Sequence, residues 1–344
     1  MRDGPARAAD GVMRAARFLG GGRINVEHRR EPEPGSGEVL LEVAACALCG
    51  TDRGAYLRGS EVTPGHEVAG VVAAAGDGVR TAPGTRGVVY LVDFCGTCYC
   101  CRSGWTNMCL AKRSMYGFTA DGGYADLVCV REQCFLPVSD DVPLELAPTL
   151  LDLYGTSGHA LRRAGHRPSD RVAVVGCGPI GLGAIAMAAA RGAAALVAID
   201  VAPYRLELAA RLGAQVVDAR ARDPVAAARA IAPEGFGTVI EAAGLLETQA
   251  QAIALSAPAG RVVFVAHNHD PLAVRTLEDL IQQEKTLLGS EYFPIGEFDS
   301  TRELLESGAL DPAPLVTHSF SLDDIEEAFE TFMGGNSGKV IVRP

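Results

Sequence analysis

Residues 172–184 read VAVVGCGPIGLGA. Four apolar residues run into Gly176, Gly178 and Gly181, and the apolar pattern then resumes at helical spacing. A strand that breaks into such a turn and restarts as a helix opens a βαβ unit. The first glycine permits a tight turn, the second lets a pyrophosphate approach the backbone, and the third lets helix and strand pack closely. The helix N-terminus then presents oriented N–H groups to the phosphates. Three glycines alone are a weak signal. Here the following strand, "LVAID", ends at Asp200, nineteen residues beyond Gly181, where a carboxylate can hold ribose hydroxyls. Val201 comes next rather than an arginine, so nothing adjacent neutralises a 2′-phosphate, and NAD is expected over NADP. The expected cofactor contacts are Gly176, Gly178, Pro179, Ile180, Gly181 and Asp200, with Arg205 against the adenine and Gly244 and Lys339 further along.

Outward from this unit, strands and helices alternate between Arg171 and Ser290. "RVAVVG", "LVAID", "AQVVDA", "TVIEAA", "RVVFVA" and "TLLGS" read as strands. "IGLGAIAMAAARG", "YRLELAARLG", "VAAARAIA", "TQAQAIAL" and "LEDLIQQEK" read as helices. Continuous apolar strands in regular alternation mean a parallel, doubly wound sheet. The N-terminal part differs. "EVLLEVAACAL", "EVAGVVAAAG", "TRGVVYLV" and "YADLVCVRE" are short strands broken by Gly and Pro, a β-rich unit with long loops. "PLELAPTLLDLYGTSGHALRRAG" is apolar at helical spacing and links the two. After Ser290 come two helices, "FDSTRELLESG" and "LDDIEEAFETFMGG", and a last strand, "KVIVRP", which is expected to rejoin the β-rich unit. The division expected is an extension at 1–12, a β-rich unit at 13–155 and 291–344, and a nucleotide-binding unit at 156–290.

The 344 residues suffice for two domains, and a net charge of −11 argues against nucleic acid as partner. No apolar run is long enough to span a membrane, and the first residues make a poor signal peptide. Five of ten cysteines (Cys95, Cys98, Cys100, Cys101 and Cys109) cluster within fifteen positions. In a chain of this size that pattern reads as metal binding in a reducing compartment, the cytoplasm. Cys95, Cys98, Cys101 and Cys109 are spaced C-x2-C-x2-C-x7-C, which can close a tetrahedron around a structural Zn²⁺. Cys100 lies between two of them and is expected to point away, a register shift by one being the alternative.

A second cluster lies in "CALCGTDRGAYLRGSEVTPGHEVAG", residues 46–70, which sets Cys49, Asp52, His66 and Glu67 among glycines. With "CGTD", "PGHE", the four-cysteine lobe, "GCGPIGLGA" before "AID" and the closing "GKVIVRP" in this order, the chain resembles a zinc-containing medium-chain alcohol/polyol dehydrogenase from about Met13 to Pro344. The resemblance implies a GroES-like catalytic domain beside a Rossmann domain, a small-molecule alcohol or ketone substrate, a homodimer or homotetramer, and a second, catalytic zinc. Cys49 and His66 match its ligands. Asp152 stands where the polyol branch has a glutamate, one methylene longer, so that either direct ligation or a water bridge fits. His159 falls on a histidine of the same segment. By the same likeness Glu67 approaches the metal during ligand exchange, Asp52 orients His66, and Thr51 takes the substrate proton. Gly54 replaces a histidine that in many relatives relays that proton. His267, His269 and Asp270 follow a strand end and either line the substrate pocket, act in proton transfer or are a plain polar surface loop.

The implied activity is NAD-dependent oxidation of a secondary alcohol in a polar molecule such as a polyol, cyclitol, sugar or amino-alcohol. The alternatives are a simple-alcohol or threonine-type dehydrogenase, and a non-catalytic NAD-binding protein. The presence of both Cys49 and His66 disfavours the last.

Overall fold

A computed structural model describes residues 11–344. The expected extension at 1–12 therefore falls almost wholly outside the described residues; the first strand begins at Val12. It forms a hairpin, Val12–Gly20 with Arg23–Arg30, which the apolar pattern did not announce.

The nucleotide-binding sheet has six parallel strands in the order Gln215–Asp218, Ala195–Asp200, Arg171–Val175, Phe236–Glu241, Ser256–Phe264, Thr286–Gly289. The chain winds one way from the central strand and then the other. A crevice therefore opens between the carboxyl ends of Arg171–Val175 and Phe236–Glu241. Alternate residues of the same strands feed two cores. Val172, Val174, Ala198 and Ile240 pack on one face, and Ala173, Val175, Val197 and Val239 on the other. Burial on both faces is what the unbroken apolar runs required.

The β-rich unit is built on a seven-stranded sheet. Glu38–Ala47 pairs antiparallel with Glu67–Ala75, with Leu127–Arg131 and with the last strand, Lys339–Arg343. Its core centres on Phe18, Tyr90, Tyr124, Phe293 and Phe329. The register carries a consequence for the site. Ala47 faces both Glu67 and Ile341, so the start of the final strand arrives beside Glu67.

Two helical expectations are corrected. "LEDLIQQEK" forms only a π turn, Thr276–Ile281, because its apolar residues have nothing to pack on in one chain: Leu277 is 50% and Ile281 67% exposed. "PLELAPTLLDLYGTSGHALRRAG" is not one helix. It is a 3₁₀ turn at Ala147–Leu150, a π turn at Asp152–Thr156 and a short α-helix, Ser157–Arg163. Leu151 breaks the run with φ −81° and ψ −103°, and its carbonyl accepts from both Gly155 (2.6 Å) and Thr156 (3.2 Å). The break places Asp152 toward His66 and Cys49.

Candidate metal and nucleotide sites

Cys49, His66, Glu67 and Asp152 are all buried, and their ligand atoms lie within 4.8 Å of one another. Asp152 Oδ2 is 3.1 Å from both Cys49 Sγ and His66 Nε2. The aspartate thus reaches the other two ligands despite its short side chain. His66 and Asp152 are each contacted from behind by a neighbouring side chain. Asp52 Oδ1 lies 3.2 Å from His66 Nδ1, while Asp52 Oδ2 accepts from the Cys49 amide (3.0 Å) and the Tyr124 hydroxyl (2.7 Å). Thr156 Oγ1 donates to Asp152 Oδ1 at 3.2 Å. Burial alone would raise Asp152, but the His66 imidazole holds its carboxyl far below the usual range. One thiol, one imidazole and one carboxylate around one point suit Zn²⁺ with a position left open.

Glu67 completes the group but has a partner of its own. Its Oε1 accepts from Lys339 Nζ, and its Oε2 has no partner. Burial pushes the Glu67 carboxyl up, and the Lys339 ammonium opposes that rise. Lys339, an expected cofactor contact, has its ammonium buried against Glu67, beneath the metal ligands. Thr51 sits in the 3₁₀ turn Gly50–Asp52 and is exposed beside Cys49. His159 does not join the four ligand atoms. Its Nδ1 pairs with Glu297 (3.0 Å) and its ring meets Trp105 edge-on.

In the cysteine lobe, Cys95, Cys98, Cys101 and Cys109 form a second group of four, without Cys100. Sulfur–sulfur distances are 3.5 Å (Cys98–Cys101), 3.9 Å (Cys95–Cys101) and 4.0 Å (Cys98–Cys109). Backbone N–H groups of Thr97 and Cys98 point at Cys95 Sγ, and that of Leu110 at Cys98 Sγ. The Thr97 and Cys98 amides draw the Cys95 thiol down to about 6, toward the thiolate that metal binding needs. Four thiolates leave no open position, the mark of a structural centre.

At the crevice the glycines separate by function. A Cβ on Gly181 would lie 1.8 Å from the Gly176 carbonyl oxygen, and one on Gly176 (φ +92°) 2.7 Å from the Ala243 nitrogen. Gly178 has no such internal reason: a Cβ there would meet only Arg205 Nη1, at 3.9 Å. The space above Gly178 is what a pyrophosphate needs. Pro179 and Ile180 begin the helix Pro179–Ala190, and the Ile180 carbonyl accepts from Ser157 Oγ at 2.8 Å. Asp200 stands at the strand end, its carboxylate held by the amides of Cys177 (2.5 Å), Val201 (2.7 Å) and Ala202 (2.7 Å). Arg205 Nε is buried without a partner. Gly244 (φ +74°) lies in a turn whose amide, with that of Ala243, donates to Glu241 Oε1 at 2.9 Å. One contact joins the two sites. A Cβ on Gly183 would lie 1.9 Å from the carbonyl of Leu153, the neighbour of Asp152.

The alcohol dehydrogenase GroES-like domain family matches residues 35–140, and the zinc-binding dehydrogenase family matches residues 179–307. L-threonine 3-dehydrogenase of Bacillus licheniformis is 32% identical over 323 residues, 89% of this chain and 91% of that protein. The chain belongs to the zinc-containing medium-chain alcohol/polyol dehydrogenases. L-galactonate-5-dehydrogenase of Escherichia coli is also 32% identical, over 316 residues, 88% of this chain and 90% of that one. The crystal structure of 2R,3R-butanediol dehydrogenase from Bacillus subtilis superposes with a TM-score of 0.88 at 29% identity, covering 96% of this chain and 99% of the other. The dehydrogenase is thus a zinc-type enzyme with a nicotinamide cofactor, and its GroES-like and Rossmann halves are those expected from the sequence. Tyr124 and Thr156 were not singled out by sequence reasoning. Each lies far from its partner or in a turn whose shape the pattern concealed, so no local signal marked them.

Proposed function

We propose that this dehydrogenase oxidises a secondary alcohol of a polar molecule (a polyol, cyclitol, sugar or amino-alcohol) to a ketone, with NAD as acceptor and two zinc ions per chain. The observation that carries the reading is the convergence of Cys49, His66 and Asp152 next to the helix that opens the nucleotide crevice. When bound, zinc at this point would act as a Lewis acid on the alcohol oxygen, and NAD would accept the hydride. Asp52 fixes the His66 ring through Nδ1, and Thr156 holds the outer oxygen of Asp152. Glu67 is held back by Lys339. Thr51, exposed at the mouth, takes the proton from the substrate hydroxyl. A side chain at Gly54 would meet Arg58 Nη2 at 2.8 Å, so the arginine fills the space of the missing histidine. A guanidinium cannot accept a proton, and Thr51 therefore hands it directly to water.

Asp200 without a neighbouring cation in sequence supports NAD, and the four-cysteine lobe supports the second zinc. Residues 13–155 and 291–344 are assigned to the catalytic unit and 156–290 to the nucleotide unit. The uncapped edge strand Thr286–Gly289, with exposed Leu277 and Ile281 before it, supports a homodimer or homotetramer. All ten cysteines are unpaired, in keeping with the cytoplasm. The similarity to threonine dehydrogenases favours a threonine-type substrate as the second reading. The test is zinc-loaded enzyme with polyols, cyclitols, amino sugars and L-threonine, each with NAD and with NADP, following absorbance of the reduced cofactor. Absence of reduction by every secondary alcohol defeats the proposal; reduction by L-threonine alone selects the second reading.

A further inference from the structure

A cavity of about 790 Å³ opens between the cysteine lobe and the carboxyl edge of the parallel sheet. Trp105 and Asn107 line it from the lobe, Arg163 from the helix Ser157–Arg163, and His267, Ser290 and Glu291 from the strand ends. Two of these residues carry polar atoms with no partner, Asn107 Oδ1 and Ser290 Oγ, although they are only 3% and 9% exposed. The orientation of the amide is fixed. Asn107 Nδ2 donates to the Glu291 carbonyl at 2.6 Å, and turning it over would set two oxygens face to face. A residue that lines the cavity therefore carries an acceptor with nothing to receive, an arrangement that buried polar groups rarely keep unless a ligand completes it.

The mouth repeats that chemistry. Glu291 Oε2 takes His267 Nε2 at 3.2 Å, which leaves Oε1 open. Arg163 is held at the wall: its guanidinium lies 5.3 Å above the Trp105 ring and its Nε donates to the Gly289 carbonyl at 3.1 Å. The lining is thus rich in acceptors, and Glu291 sets a carboxylate charge at its mouth. The cavity also reaches the element that carries Asp152: His159 and Arg163, on the helix that directly follows the Asp152–Thr156 turn, line it.

We propose that this cavity seats the distal hydroxyls of the substrate and selects a polyhydroxy alcohol that carries no anionic group, against aldonates and sugar phosphates. The assignment rests on the alcohol oxidation proposed above. Each hydroxyl can donate to Asn107 Oδ1 or Glu291 Oε1 and accept from Ser290 Oγ. A carboxylate or phosphate oxygen brings no donor and meets the charge of Glu291.

Trp105 is the single tryptophan of the chain, so its emission reports on the cavity independently of turnover. The zinc-loaded protein with NADH bound, which prevents oxidation, is titrated with sorbitol, myo-inositol, gluconate and sorbitol 6-phosphate. A neutral member is expected to shift the emission saturably and to bind at least about tenfold more tightly than either anion. Asn107→Ala and Ser290→Ala should each weaken it by about tenfold, the scale of one buried hydrogen bond lost. The serine variant guards against a loosened lobe in the asparagine one. Glu291→Lys should reverse the order of neutral and anionic ligands. Equal or tighter binding of an anion, an unchanged order in Glu291→Lys, or no response to either neutral ligand overturns the proposal. Saturable binding of a neutral ligand that is never oxidised would keep the cavity assignment and count against the alcohol oxidation. Oxidation with a preference for anions would do the reverse.

Discussion

Lys339 and Glu67 lie 272 positions apart in sequence and meet with side chains 1% and 0% exposed. Replacing Lys339 by Met keeps the length of the side chain and removes its charge. The Glu67 carboxyl then stays buried with neither oxygen partnered, since Oε2 has no partner to begin with. Breaking a buried pair from one side costs about 3–5 kcal/mol. At about 2 °C per kcal/mol for a chain of this size, Tm should fall by roughly 6–10 °C. Lys339→Met/Glu67→Gln should regain most of the loss, because the amide carries no charge to strand. The assays are thermal and urea unfolding of both variants and a titration with NAD. The cofactor role suggested by the sequence makes the opposite forecast: NAD affinity would collapse in Lys339→Met, Tm would barely move, and Glu67→Gln would rescue nothing. That outcome would refute the assignment of Lys339 to the metal side.

Zinc content by elemental analysis should approach two per chain. Cys95→Ser should lower Tm markedly, while Cys49→Ser abolishes activity with a smaller effect on Tm, because a closed site couples metal binding to folding; equal losses of stability would contradict the division. Gly178→Ala should fold normally and lose NAD binding, whereas Gly181→Ala should not accumulate as folded protein, given the 1.8 Å clash; circular dichroism and NAD titration separate them. Asp200→Ala should weaken NAD by about 1–3 kcal/mol and narrow the gap to NADP, and an unchanged preference would remove Asp200 from the ribose site. His166 has a 1% exposed side chain and no hydrogen bond at either ring nitrogen, and burial lowers its pKa below the usual 6.5 although Asp170, 3.7 Å from Nδ1, opposes the fall. The unfolded chain therefore takes up a proton first as pH falls, so stability is full above 6.5 and declines below it. In His166→Leu that part of the decline should vanish, so melting curves from pH 7.5 to pH 5 that run parallel to wild type would exclude it.

The parallel sheet was legible because residues such as Val172 and Ala173 face opposite cores, which leaves an unbroken apolar run as a signature. The clustered cysteines and the pair Cys49 and His66 were legible because metal chemistry restricts the residue types. What was hidden came from two causes. The linker before Arg171 has the apolar spacing of a helix, but the backbone at Leu151 departs from helical angles, and tertiary packing of Phe293 against Gly155 overrides the pattern: a Cβ there would lie 2.5 Å from the ring. Lys339 next to Glu67 depends on strand register across most of the chain, which no local window contains.

Gly183 lies outside the three-glycine turn and would ordinarily be taken as a helix-packing residue. Its missing side chain lets the cofactor helix rest on the carbonyl of Leu153, the residue next to Asp152. In mechanical terms the contact is a strut of almost zero length between the part that holds the cofactor and the part that holds the metal. It sets the separation of the two reaction partners by bare backbone, with no side chain to flex. A single methyl group at Gly183 would act as a spacer there. Its damage should surface as a displaced Asp152, hence as weakened metal retention, even though the residue touches no metal ligand and belongs by sequence to the nucleotide half.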